Sequence, residues 1–436
     1  MTPDTSVEEY VAEATRRAAV VEGLPSDAPV REVRSVGIVG AGTMGGGIAM
    51  NFASAGLPVR LVERTDEALQ RGLSVVRANY QRSADRGRFP AEEVDARMAR
   101  IDGRLTVDDL ADCDLVIEAV FEDMELKTSV FGELDRVVKP GAILATNTSG
   151  LDIDVIAAAT RRPQDVIGLH FFSPANVMKL LEVVRADHTA DDVVATAMAL
   201  ATTIGKVAVL VGVCPGFVGN RILAARSNQA NAMVREGVMP WDIDDALRGF
   251  GFRMGPFQMS DLAGLDIGWS KGATTKNPIR DALCELGRRG QKTGAGYYDY
   301  DAERRPSPSQ VTAGVIADVT GAEPRTMGAE EIVRRLIAPM INEAVAILEE
   351  NHAQRPSDVD VVWLHGYGWP ADKGGPMFYG DVIGAGEVLS AMEGLVRDDP
   401  RIRPADTLRR LAQDGGRFTE LDLGGLKTRR TKGDPS

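Results

Sequence analysis

The chain has 436 residues, of which 44% are hydrophobic and 26% charged, enough apolar material for two or three folded domains. Its formal net charge of −13 excludes bulk attraction to nucleic acid or anionic lipid, so a polyanionic ligand must be small and held by arranged local donors. Apolar runs such as 207–211 fall far short of the ~20 residues of a membrane helix, and residues 1–30 lack a signal-peptide pattern, so a cytoplasmic protein is expected.

Residues 1–32 form a leader with an amphipathic helix through Val7, Tyr10, Val11 and Ala14, followed by Gly23, Pro25 and Pro29. From residue 35 strand and helix signals alternate. Strands are predicted at 35–40, 59–63, 114–118, 142–146, 166–171, 180–184 and 207–211. Helices are predicted at 43–55, 66–84, 91–101, 122–138 and 190–204. That alternation predicts an α/β domain over 33–214 with a parallel sheet. Cys113, Cys214 and Cys284 are widely spaced and predict neither a disulfide framework nor a metal site.

After Pro215 helical periodicity takes over, and two stretches match each other in order. The first carries Asp242-Ile243-Asp244, Gly249-Phe250-Gly251-Phe252, Gly255-Pro256 and Asp261. The second carries Asp358-Val359-Asp360, Gly366-Tyr367-Gly368-Trp369, Gly375-Pro376 and Asp381, at offsets of 116 to 120 residues. Two related all-α domains are therefore expected, at 215–300 and 329–425. A linker is expected over 301–328, where 301–309 is rich in Pro, Ser and charge, and a tail at 426–436.

Gly40-Ala41-Gly42-Thr43-Met44-Gly45 fits G-x-G-x-x-G, directly after an apolar strand and at the start of a helix. The first glycine permits the tight turn, the second the approach of a pyrophosphate, and the third close packing of helix on strand. Glu63 closes the next strand, where an acid accepts hydrogen bonds from ribose hydroxyls and repels a 2′-phosphate. NAD is therefore the expected cofactor.

Among four histidines, His170 ends the apolar strand 166–171, and the carboxyl ends of strands in an open α/β sheet face the ligand crevice. Glu182 lies in an apolar frame where a carboxylate is costly unless paired. A hairpin through 173–176 brings it against the imidazole, fixing the tautomer and raising the basicity of the ring. The alternative partner for Glu182 is Lys179 or an arginine. Seven arginines (77, 82, 86, 88, 97, 100, 104) on a helical hairpin over about 66–104 share their stretch with five acids, so phosphate binding and a solvated face are equally open there.

Thr146-Asn147-Thr148-Ser149, Gly168-Leu169-His170-Phe171-Phe172-Ser173-Pro174, Val177 to Val184 and Pro215 to Arg221 resemble the sequence blocks of L-3-hydroxyacyl-CoA dehydrogenases, over about residues 33–420. The tandem helical copies look most like the dehydrogenase half of multifunctional β-oxidation enzymes. Residues 1–30 resemble the linker to the enoyl-CoA hydratase half, which has no counterpart in these residues. The resemblance implies a Rossmann-type doubly wound domain followed by two homologous all-α domains. It implies NAD-dependent, reversible oxidation of (S)-3-hydroxyacyl-CoA to 3-oxoacyl-CoA. By resemblance His170 is the general base and Glu182 its partner, while Ser149 and Asn220 hold the reacting oxygen and complete the site. Asn147, Glu118 and Lys127 lie near the nicotinamide and its ribose.

An acyl-CoA is the implied substrate, a separate hydratase or thiolase an expected partner, and the tandem domains make a monomer viable. A hydroxyacid or polyol dehydrogenase of the same superfamily, and a non-catalytic NAD-binding subunit of a β-oxidation assembly, are the alternatives.

Overall fold

The computed structural model describes residues 6–25, 27–272, 274–424 and 426, so the expected tail lies outside the described residues except for Leu426. The chain divides into two compact units. Of the described residues, one holds those up to 220, together with 347–367 and those from 419 onward; the other holds those in 221–346 and 368–418.

The first unit is built on an eight-stranded sheet: β1 Val36–Val39, β2 Val59–Val62, β3 Ile101–Arg104, β4 Leu115–Glu118, β5 Ile143–Thr146, β6 Val166–Phe171, β7 Leu180–Arg185 and β8 Val207–Gly212. Their spatial order is β3-β2-β1-β4-β5-β6-β7-β8. β1, β4, β5 and β6 are buried at every residue, and β2 at all but Arg60, because helices leave little of this sheet to water. The chain moves outward from β1 to β3, then returns to place β4 on the other side of β1. That reversal opens a crevice at the carboxyl ends of β1 and β4.

The sheet is not wholly parallel. β7 runs antiparallel to β6, because residues 172–179 form a short return and not a crossover helix. β3 begins at residue 101, where the stretch 91–101 expected to be helical ends and no strand is expected. Its only buried residue is Ile101, so this edge strand carries no apolar run to announce it.

The leader helix Val7–Ala18 starts with a capping box in which Ser6 and Glu9 exchange hydrogen bonds. It buries Tyr10, Ala14 and Ala18 and packs against the helix Pro356–Gly366. Tyr10 donates its hydroxyl to Asp360 at 2.5 Å, and Arg355 reaches the Val20 carbonyl at 2.7 Å. The second copy thus lends this unit a helix, which lies against β7 and β8.

The second unit is helical, with Pro240–Phe250, Pro256–Ala263 and Pro278–Glu285 from the first copy and Pro376–Ile383, Ala385–Asp398 and Asp406–Asp414 from the second. Residues 301–328, expected as a linker, correct that expectation. They hold the strand Pro306–Pro308 and the helix Gln310–Thr320, capped by the Ser309 side chain and closed by Gly321 at φ 65°. The Pro/Ser texture falls on that strand and on the Ser309 cap, immediately before the helix. Among the described residues no helix is long and apolar enough to cross a membrane.

Candidate active site

β1 ends at Val39, and the chain turns through Gly40-Ala41-Gly42 into the helix Thr43–Ser54. Gly40 has φ +104°, and a Cβ there would lie 2.7 Å from the Ala119 carbonyl oxygen. Only glycine lets the ends of β1 and β4 close up in this way. A Cβ on Gly45 would lie 1.8 Å from the Gly40 oxygen, whereas one on Gly42 would meet nothing within 4 Å. Gly42 therefore faces open space at a helix N-terminus that has no side-chain cap and no acid in its first turn. The first paired donor is Gly46 N, to Gly42 O at 2.8 Å, which leaves the N–H groups of Thr43, Met44 and Gly45 for an anion.

Glu63 follows β2 and accepts from Ala41 N at 3.0 Å and Arg64 N at 2.7 Å, fixing its carboxylate beside the turn. Gly40, Gly42, Thr43, Met44 and Glu63 line a cleft of about 780 Å³, with Leu105, Val107 and Phe121 as its apolar wall. A phosphate-ready turn, an acid beside it and an apolar wall fit a dinucleotide.

β4 and β5 carry the next group. Glu118 is fully buried and accepts from Lys127 Nζ at 2.7 Å, Thr146 Oγ1 at 2.7 Å and Val120 N at 2.8 Å. Lys127 is 1% exposed, so as placed these two residues lie beneath the crevice and do not line it. The member that reaches outward is Glu122, 3.3 Å from the Lys127 ammonium with its side chain 41% exposed. Burial works against its charge. Hydrogen bonds from Thr148 and Ser149, with Lys127, outweigh that and hold the carboxyl below the usual carboxylate range. Asn147 follows β5 and its Oδ1 accepts from Phe171 N at 2.9 Å, tying the end of β5 to the end of β6.

His170 stands directly opposite Glu182 in the β6–β7 pairing, and its Nδ1 is 2.7 Å from Glu182 Oε2. Glu182 is fully buried; its other oxygen accepts from Gly219 N at 2.9 Å. A carboxylate so held takes the Nδ1 proton as its partner and leaves the lone pair on Nε2. Phe172 and Phe217 pack on the imidazole at 4.4 and 5.7 Å between ring centroids. Phe217 has φ +50°, a strain of about 1 kcal/mol, and opens the helix Phe217–Arg235 that carries Gly219 and Asn220.

The Ser149 hydroxyl donates to Glu122 Oε1 at 2.9 Å, and the Ser149 carbonyl accepts from Asn220 Nδ2 at 3.1 Å. Asn220 Oδ1 in turn accepts from the Tyr367 hydroxyl at 2.7 Å. Ser149 and Asn220 are therefore joined directly, and His170 and Glu182 meet one residue away through Gly219. The sequence reading missed Glu122 and Tyr367. Glu122 reads as an ordinary acid ahead of a helix, and only its three hydrogen bonds to residues 148 and 149 reveal it. Tyr367 is 147 residues from Asn220 and had a signal only as part of a repeated glycine-flanked tip.

The family model for the NAD binding domain of 3-hydroxyacyl-CoA dehydrogenase matches residues 35–214. The model for the C-terminal domain of 3-hydroxyacyl-CoA dehydrogenase matches twice, at 216–300 and 332–421. The chain belongs to the 3-hydroxyacyl-CoA dehydrogenase family. It is 45% identical over 417 residues to the peroxisomal bifunctional enzyme of Cavia porcellus, matching 89% of this chain and 57% of that protein. It thus spans little more than half the length of the curated relatives it matches.

Among solved structures, 3-hydroxybutyryl-CoA dehydrogenase from Escherichia coli K12 is similar with a TM-score of 0.75 and 29% identity, over 88% of this chain and 99% of that one. The dehydrogenase part of multifunctional enzyme 1 from C. elegans is similar with a TM-score of 0.67 and 31% identity, over 92% of this chain and 96% of that one. In this chain the G-x-G-x-x-G turn and the strand-end histidine both fall within the region matched by the NAD-binding model.

Proposed function

We infer that this chain catalyses the reversible, NAD-dependent oxidation of (S)-3-hydroxyacyl-CoA thioesters to 3-oxoacyl-CoA, with His170 as acid and base. The observation that carries this reading is the buried pair of His170 and Glu182, 2.7 Å apart on the same sheet as the glycine turn. The carboxyl ends of β1, β4, β5 and β6 follow one another in that sheet. Three strand spacings, about 14 Å, separate the turn from the imidazole, a span suited to an extended dinucleotide.

NAD, when bound, supplies the hydride acceptor; the chain's own residues manage the proton. Nε2 of His170 takes the proton of the substrate hydroxyl as the C–H hydride leaves, and Glu182 steadies the imidazolium through Nδ1–H. In the reverse direction the imidazolium returns that proton to the ketone oxygen. The Asn220 amide, held by Ser149, presents a donor to the same oxygen, and the Ser149 hydroxyl is itself held by Glu122.

The CoA phosphates need cations. In the hairpin Arg77 pairs with Asp95, Arg97 with Glu93 and Arg104 with Asp102. Among the described residues the Arg86 and Arg88 side chains make no hydrogen bond or ion pair, and Arg88 lines a cleft of about 430 Å³ with Tyr80, Arg97 and Asn176. These two arginines are the ones available to a phosphate. The reading is tested by following NADH absorbance with acetoacetyl-CoA and with NADPH in its place. NADH is expected to be consumed at least tenfold faster than NADPH, because Glu63 repels a 2′-phosphate. No reaction with any 3-oxoacyl-CoA thioester would overturn the reading.

A further inference from the structure

We propose that Tyr367 is a positioning residue for Asn220, so that the second helical copy contributes a group to the reaction; this rests on the function inferred above. The Tyr367 hydroxyl donates to Asn220 Oδ1 at 2.7 Å while Asn220 Nδ2 donates to the Ser149 carbonyl at 3.1 Å. Both ends of the amide are thereby fixed. A flipped amide would set Oδ1 against the Ser149 carbonyl, two acceptors face to face. In the observed orientation the second Nδ2 hydrogen remains to be given to a substrate oxygen.

The tyrosine ring is itself held firmly. It stacks on Trp363 at 4.6 Å and meets Phe172 edge-on at 5.4 Å, and Phe172 lies 4.4 Å from the His170 ring. It lies so close to Gly219 that a Cβ there would come 2.3 Å from Tyr367 Cε2. Gly219 is also the residue whose N–H holds Glu182. One aromatic ring therefore abuts the helix turn that fixes both the carboxylate of the pair and the amide. The residue at the matching position of the first copy is Phe250, which has no hydroxyl.

The test is Tyr367→Phe, which keeps the ring and its packing and removes only the hydroxyl. With acetoacetyl-CoA and NADH, kcat is expected to fall about fivefold to tenfold, with the KM for NADH within about twofold and the melting temperature close to that of the native chain. A purely structural ring would leave kcat untouched. Asn220→Ala and the double variant complete a cycle: once the amide is gone, loss of the hydroxyl is expected to cost nothing further.

Native kcat in Tyr367→Phe, or losses that multiply in the double variant, would overturn the proposal and leave the proposed function standing. A native chain inactive on acetoacetyl-CoA would overturn both, and that control separates the two failures.

Discussion

At residues 249–252 the first copy turns Phe250 into an aromatic cluster, 5.8 Å from Phe252, 5.8 Å from Trp369 and 5.1 Å from Tyr379 between centroids. At 366–369 the second copy turns Tyr367 instead onto Gly219 and Asn220. The surrounding frame is shared. Asp244 accepts from Phe257 N, Gln258 N and the Tyr298 hydroxyl, and its counterpart Asp360 accepts a hydroxyl from Tyr10 of the leader helix. Asp261 accepts from Tyr297 N and Tyr298 N, and its counterpart Asp381 accepts from Phe418 N. A duplicated scaffold thus keeps its buried aspartates in both copies, while one hydroxyl at the tip separates packing from service to the site.

The sharpest way to separate those two roles compares a substitution beside the second copy's tip with one inside the first copy. His170→Ala should lower turnover by about 10²–10⁴ while NAD binding, measured by fluorescence titration, stays intact. Near-native turnover would remove His170 from the chemistry. Asp261→Ala should do the reverse. It strands two backbone N–H groups and the Tyr300 hydroxyl, at a cost of about 3 kcal/mol, visible as a fall of several degrees in melting temperature. Turnover per folded molecule should remain native, and a selective loss of turnover would blur the distinction between the copies.

A smaller effect lies in the pH dependence of that difference. Burial pushes the Asp261 carboxyl up to about 6, above its unfolded value near ~3.9. Between those values the native state binds more protons than the unfolded one, so native stability rises as pH falls and its gain is lost again as pH rises through about 6. The gap in melting temperature between the native chain and Asp261→Ala should therefore widen from pH 7 to pH 5. A constant gap would mean that this carboxylate does not titrate there.

Much of this was legible in the residues. The glycine turn, Glu63, and the pair of His170 and Glu182 are local features: a strand, a turn and a hairpin, with all the relevant residues close in sequence. Other features were hidden because their signals are non-local or weak. The edge strand Ile101–Arg104 buries one residue, and the helix Gln310–Thr320 follows a Pro/Ser stretch that reads as linker. Glu118 and Lys127 follow from the resemblance by position alone; their burial, and the outward reach of Glu122, depend on how β4, β5 and the helix Met124–Val137 meet. The bond from Tyr367 to Asn220 depends on a helix of the second copy packing against β7 and β8, which no local pattern announces.

The most direct measurement is a crystal structure of the chain with NAD+ and acetoacetyl-CoA, a pair that cannot react because both are oxidised. The account predicts the 3-oxo oxygen within about 3 Å of His170 Nε2 and of Asn220 Nδ2, with the nicotinamide over the neighbouring carbon. A thioester bound with its carbonyls turned away from the imidazole, or a pyridine ring seated elsewhere on the sheet, would contradict it.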